Sequence, residues 1–100
     1  WLGISAEEIT PSVAEAFNLK KLRGLVLTDI ETNGPAEKAG LQVGDIITHI
    51  DNTSVGNGNI GMHKIAQTKP GTTISIRAMR KGDSQDFLVV IGLRPSNTSD

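Results

Sequence analysis

Residues 34–47, Gly-Pro-Ala-Glu-Lys-Ala-Gly-Leu-Gln-Val-Gly-Asp-Ile-Ile, leave the backbone fewer choices than any other stretch of this chain. Pro35 fits the first position of a helix, where its missing N–H would be unpaired anyway, and Gly40 can take the left-handed conformation that stops one. A one-turn helix is predicted between them, with Leu41 packing inward after it. Gly44-Asp45 then turns the chain into a strand over Ile46 to Asp51, with Ile46, Thr48 and Ile50 on one face and Ile47, His49 and Asp51 on the other.

The flanking segments alternate between period 2 and period 3.6 in the same punctuated way, without internal repeat or low-complexity linker. Ile4 to Ile9 reads as an edge strand. Thr10 is placed to cap a short helix that has Pro11 at its first position, pairs Val13 with Phe17 and stops at Asn18. Leu25 to Ile30 is apolar enough for a strand covered on both faces, and it ends in the turn signal Asn33-Gly34. Met62, Ile65 and Ala66 fall on one stripe of a second helix, from about Asn59 to Gln67, ended by Lys69-Pro70-Gly71. Thr72 to Met79 and Asp86 to Ile91 read as a hairpin across Lys81-Gly82-Asp83. Pro95 to Asp100 is read as a frayed tail, so the domain is placed at residues 1–94. The fold class is α+β: a small, mostly antiparallel barrel-like or sandwich sheet of five to six strands with two main helices at its openings.

Composition narrows the function. At 100 residues there is one core to bury. Ten basic and eleven acidic residues give a net charge of −1 with no run of one sign, which argues against nucleic acid or an anionic membrane as partner. Cysteine is absent, so there is no disulfide framework and no thiolate metal site. His49 and His63 have no third His or Cys to complete a metal site and read as ordinary exposed imidazoles. No G-x-S-x-G elbow or Ser–His arrangement marks a nucleophile, so no catalytic site is expected in this chain. Gly56-Asn57-Gly58-Asn59-Ile60-Gly61 matches a dinucleotide fingerprint, but the repeated βαβ units of a dinucleotide crevice are missing and Asp83 sits in a hairpin turn. No cofactor is expected. The chain opens on Trp, inside what reads as a motif, and is taken as an excised domain.

That opening motif, Trp1-Leu2-Gly3-Ile4, carries the chemistry. A Gly between two apolar residues, directly before an edge strand, lets successive N–H groups converge into a nest for a carboxylate with no side chain in the way. Leu2, Gly3 and Ile4 supply the donors, and the strand that follows, beginning Ile4-Ser5, offers its backbone to an incoming peptide. The peptide's last side chain would enter an apolar pocket lined by Leu2, Ile4, Met62, Ile65 and Ala66, with Gly61 leaving room beside it. By themselves the four opening residues read first as an ordinary strand start, and Met62, Ile65 and Ala66 on the second helix can each be plain core instead.

Read together with Gly34 to Ile47, Gly24-Leu25-Val26-Leu27, Ile50-Asp51-Asn52 and Lys69-Pro70-Gly71, the opening motif resembles a PDZ domain of the HtrA (Deg) family of periplasmic serine proteases, over nearly the whole chain. Gly34-Pro35-Ala36, Gly40-Leu41-Gln42-Val43, Met62 and an end soon after the last strand are more similar to the DegS stress-sensor type. The resemblance implies capture of the C-termini of misfolded outer-membrane-type proteins, with an apolar or aromatic last residue, by strand addition. It further implies control of a serine-protease domain upstream in the same parent chain, a homotrimeric parent, and a periplasmic location with an inner-membrane anchor. The alternative within the family is a substrate-capture or oligomer-assembly domain of a DegP- or DegQ-like chaperone-protease. Gly61, where the family often carries a larger residue, and the glycine-rich entry to its helix imply a wider or more mobile pocket.

Overall fold

In a computed structural model, the turn residues singled out above divide the chain into nine elements: β1 (Ile4–Glu8), α1 (Pro11–Ala16), β2 (Leu25–Ile30), α2 (Pro35–Ala39), β3 (Ile46–Ile50), β4 (Thr53–Ser54), α3 (Asn59–Gln67), β5 (Thr73–Arg80) and β6 (Asp83–Val90). The structure describes residues 1–16, 18, 24–55 and 59–93, and the side chains of all of these but 59, 60 and 62. Phe17, the glycine-rich run at 56–58 and the tail at 95–100, about which the sequence raised expectations, lie outside them. The strands pair antiparallel in the order β1-β2-β3-β5-β6, with β4 on β3. Among the described residues the sheet does not close on itself, and β1 and β6 stand at the two ends of that order with no strand on their outer sides.

Local chemistry accounts for the helix ends. Thr10 Oγ1 accepts the Val13 N–H at 3.2 Å, which is the cap expected for α1. Pro35 opens α2, and Gly40, with φ of 102°, closes it. The main core runs between the sheet and α3, joining Leu25 and Leu27 of β2 to Ile47, Ile50, Ile74, Ile76 and Ile65. A smaller cluster of Ile9, Ala14, Val26 and Ile46 fills the opposite face under α1. β2 is therefore covered on both faces, as its apolar run implied.

Two features depart from simple alternation. In β3 the pairing with β5 slips between Ile47 and His49, so Thr48 is an extra, bulged residue. The bulge changes the phase of the strand: Ile47 and Ile50, expected on opposite faces, enter the same core, and Ile46 goes to the other cluster. The β5–β6 ladder is longer than expected and runs from Thr73↔Val90 to Arg80↔Asp83. Its turn is only Lys81-Gly82, with φ of 53° and 83°, the two positive values a tight two-residue hairpin requires. Asp83 therefore belongs to the strand.

The turn at Gly44-Asp45 holds a further device. The Asp45 carboxylate is only 2% exposed. It accepts Arg80 Nε at 2.8 Å and Nη2 at 2.6 Å, together with the Gln42 N–H at 2.9 Å. Arg80 also donates to the Gly40 carbonyl at 2.9 Å and stands 5.3 Å from the centre of the Phe87 ring. The hydrogen bond to Asp45 raises the Arg80 pKa, so the guanidinium stays charged. One ion pair thus joins the end of α2, the start of β3 and the end of β5.

Candidate functional site

The site is built from the backbone of residues 1–4. The carbonyls of Trp1, Leu2 and Gly3 accept hydrogen bonds from the N–H groups of Gly92 (3.0 Å), Ala36 (3.0 Å) and Glu31 (2.8 Å). In a trans peptide unit the N–H points opposite to the C=O. Each of those bonds therefore turns the next residue's N–H, on Leu2, Gly3 and Ile4 in succession, away from the body of the domain. The N–H groups of Leu2 and Gly3 have no acceptor among the described residues. Gly3 has φ of 72°, and a Cβ there would stand 3.2 Å from the Glu31 Cβ and 3.3 Å from the Trp1 ring. Only glycine satisfies both the turn and the space.

The register of β1 continues the same polarity. Across the Ile4↔Ile30 pair the hydrogen bond runs from Glu31 N–H to Gly3 carbonyl, so Ile4 and Ile30 do not bond each other directly. The N–H and C=O of Ile4 consequently face the free edge. Side chains alternate: Ile4 and Ala6 pack against the main core, whereas Ser5 and Glu7 are exposed on the other face. The slip between Ser5 and Ala6 falls on Thr28 of β2 and leaves the alternation of β1 intact.

Between these residues and α3 lies an open groove of about 510 Å³, lined by Trp1, Leu2, Gly3, Ile4, Ile65, Ala66, Thr68, Pro70 and Gly92. Five of the seven residues proposed from sequence, namely Leu2, Gly3, Ile4, Ile65 and Ala66, come together there. Ser5 does not line the groove and lies beside it on the strand. Met62 is on α3, but its side chain lies outside those described. Gly61 departs from the sequence reading. It faces inward, where a Cβ would meet Val55 Cγ1 at 2.8 Å and Ile50 Cδ1 at 3.4 Å. The glycine lets α3 sit close against Ile50 of β3 and against Val55, just past β4; it does not open space beside the groove. His63 is exposed, but His49 is half-buried, with Nδ1 3.0 Å from Thr48 Oγ1, and is not the exposed imidazole expected.

Sequence reasoning missed Trp1, Thr68, Pro70 and Gly92 in the groove wall. Lys69-Pro70-Gly71 was legible as a helix stop, and a stop just after a groove-lining helix is the signal that places Thr68 and Pro70. Gly92 arrives only because its N–H bonds the Trp1 carbonyl across the chain. Chemically, three N–H donors turned away from the domain at one end, a strand edge unpaired among the described residues along one side and an apolar wall opposite suit an extended peptide ending in a carboxylate.

A sheet of this order, with a glycine-opened edge strand facing a helix across a groove, is the arrangement of PDZ domains. The chain belongs to the PDZ domain family, whose model matches residues 1–91. Among solved structures it is similar to "HtrA-type protease AlgW with decapeptide", with 36% identity over 96% of this chain and 30% of that one and a TM-score of 0.89. It is also similar to "HtrA-type protease AlgW with tripeptide", with 35% identity over 99% of this chain and 33% of that one and a TM-score of 0.80. Among curated relatives it is 37% identical to a probable periplasmic serine endoprotease, DegP-like, of Hahella chejuensis, over 97% of this chain and 21% of the relative. The chain thus spans about a fifth of the length of the curated relatives it matches.

Proposed function

We propose that this domain captures free peptide C-termini by strand addition to β1, with the terminal carboxylate on the N–H groups of Leu2, Gly3 and Ile4 and an apolar or aromatic last side chain against Ile65 and Ala66. The single observation that carries the reading is the outward set of those three N–H groups, enforced by the bonds from Gly92, Ala36 and Glu31. The peptides in the AlgW structures support it. The domain regulates an HtrA-type serine protease in the same parent chain, and the ligands are the C-termini of misfolded outer-membrane-type proteins. The parent is periplasmic, in keeping with the names of its relatives, anchored to the inner membrane and homotrimeric.

A second reading has its own support, because the curated relatives are named DegP-like. In that case the groove captures unfolded substrates without switching the protease. The intact parent separates the two: a Phe-ended peptide added in trans raises cleavage of an unrelated reporter under the regulatory reading and leaves it unchanged under the other.

Ala66 supplies the test of the groove itself, since it is exposed and lines it. Ala66→Glu places a charge against the apolar wall and is expected to weaken a Phe-ended peptide by about tenfold or more, because an unpaired charge at an apolar contact costs over 1 kcal/mol. Thermal melting should stay unchanged. Trp1, the sole tryptophan, lines the groove and gives a fluorescence readout of binding. Unchanged affinity in the variant would remove the peptide from this groove.

A further inference from the structure

We propose, resting on the reading of β1 as the edge to which a peptide adds, that Glu7 selects ligands carrying a basic side chain at the fourth residue from their C-terminus. With the carboxylate at the start of β1, the ligand runs antiparallel to the strand. The N–H and C=O of Ile4 face the free edge, so Ile4 exchanges hydrogen bonds with the terminal residue. Counting along the pair, the second ligand residue lies opposite Ser5, the third opposite Ala6 and the fourth opposite Glu7. Because hydrogen-bonded and non-bonded pairs alternate, the Glu7 pair is of the non-bonded kind, in which Cα atoms approach to about 4.5 Å and side chains come closest.

The chemistry at that position is set by one carboxylate. Glu7 lies on the exposed face of β1, and its partner across β2 is the buried, apolar Val26. Among the described residues it has no ion-pair partner, since the two ion pairs join Arg77 to Asp86 and Arg80 to Asp45 on other strands. A Lys or Arg opposite it gains a cross-strand pair, and a Glu or Asp there meets a like charge. Apolar recognition at the terminal residue and charge recognition three residues upstream therefore sit on opposite faces of one added strand.

The test uses short free-acid peptides ending in Phe that differ only in Lys or Glu at the fourth residue from the end. They are titrated against the domain and its Glu7→Gln and Glu7→Lys variants, with thermal melting to confirm that both variants fold. The unaltered domain should bind the Lys peptide about fivefold more tightly at low salt. The preference should shrink at high salt, as expected for exposed charges, vanish in Glu7→Gln and reverse in Glu7→Lys. Equal binding of the two peptides by the unaltered domain, or a preference that survives Glu7→Lys, overturns the role of Glu7. Failure of both peptides to bind tells instead against strand addition to β1 as a whole.

Discussion

Arg80→Ala is expected to be the most damaging single substitution outside the apolar core, costing about 3 kcal/mol of folding stability. Removing the guanidinium leaves the Asp45 carboxylate, 2% exposed, with the Gln42 N–H as its one remaining donor among the described bonds. Uncompensated buried charges of this kind cost about 3–5 kcal/mol. The lower end is expected here because the Arg80 side chain is 24% exposed, so water screens part of the pair. For a domain of this size the loss corresponds to a fall on the order of 15 °C in Tm. Asp45→Ala made together with Arg80→Ala should recover part of it, because no charge is then left buried. The sign with pH follows from the raised Arg80 pKa: this contribution is complete below the unfolded-state pKa and is lost only as pH climbs through the higher folded value. Denaturant titration at neutral pH measures the effect, and a loss under 1 kcal/mol would place the pair among ordinary surface contacts.

The second large effect concerns the ligand. A peptide ending in Phe is expected to bind about 30- to 150-fold more tightly than the same peptide ending in Ala. Burying the additional apolar surface of the ring is worth roughly 2–3 kcal/mol at about 25 cal/mol per Å². The groove, at about 510 Å³, has room for the ring, and Ile65, Ala66 and Pro70 give it apolar walls. Calorimetry on the matched pair decides it. Equal affinities would mean that the last side chain stays in water and that the groove serves the backbone alone.

The elements that were legible in the sequence are those closed by local chemistry. Pro35 and Gly40 bound α2, Thr10 starts α1, and α3 occupies residues 59–67 as its stripe and the following Lys69-Pro70-Gly71 required. What was not legible depends on partners distant in the chain. The bulge at Thr48 is invisible to alternation because it exists only against β5, and it moves Ile50 to the face expected of Ile47. Asp45 read as a turn residue because the arginine that pairs with it lies 35 positions on. Gly61 read as open space in a pocket, since a missing Cβ does not say which neighbour has come close. Of the groove, the half contributed by consecutive residues, Leu2-Gly3-Ile4 and Ile65-Ala66, was readable. The half assembled by the fold, Trp1 beside Gly92 and Pro70, was not.

Carboxylate binding by the N–H groups of Leu2, Gly3 and Ile4 underlies the whole proposed function. Its most direct measurement is titration of one Phe-ended peptide in two forms, free acid and C-terminal amide, followed by Trp1 fluorescence and by calorimetry. Hydrogen bonds to an ionised acceptor contribute about 1.5–3 kcal/mol, so the amide should bind at least about tenfold more weakly, even though its side chains are unchanged. Equal affinity for the two forms would contradict the assignment of those N–H groups.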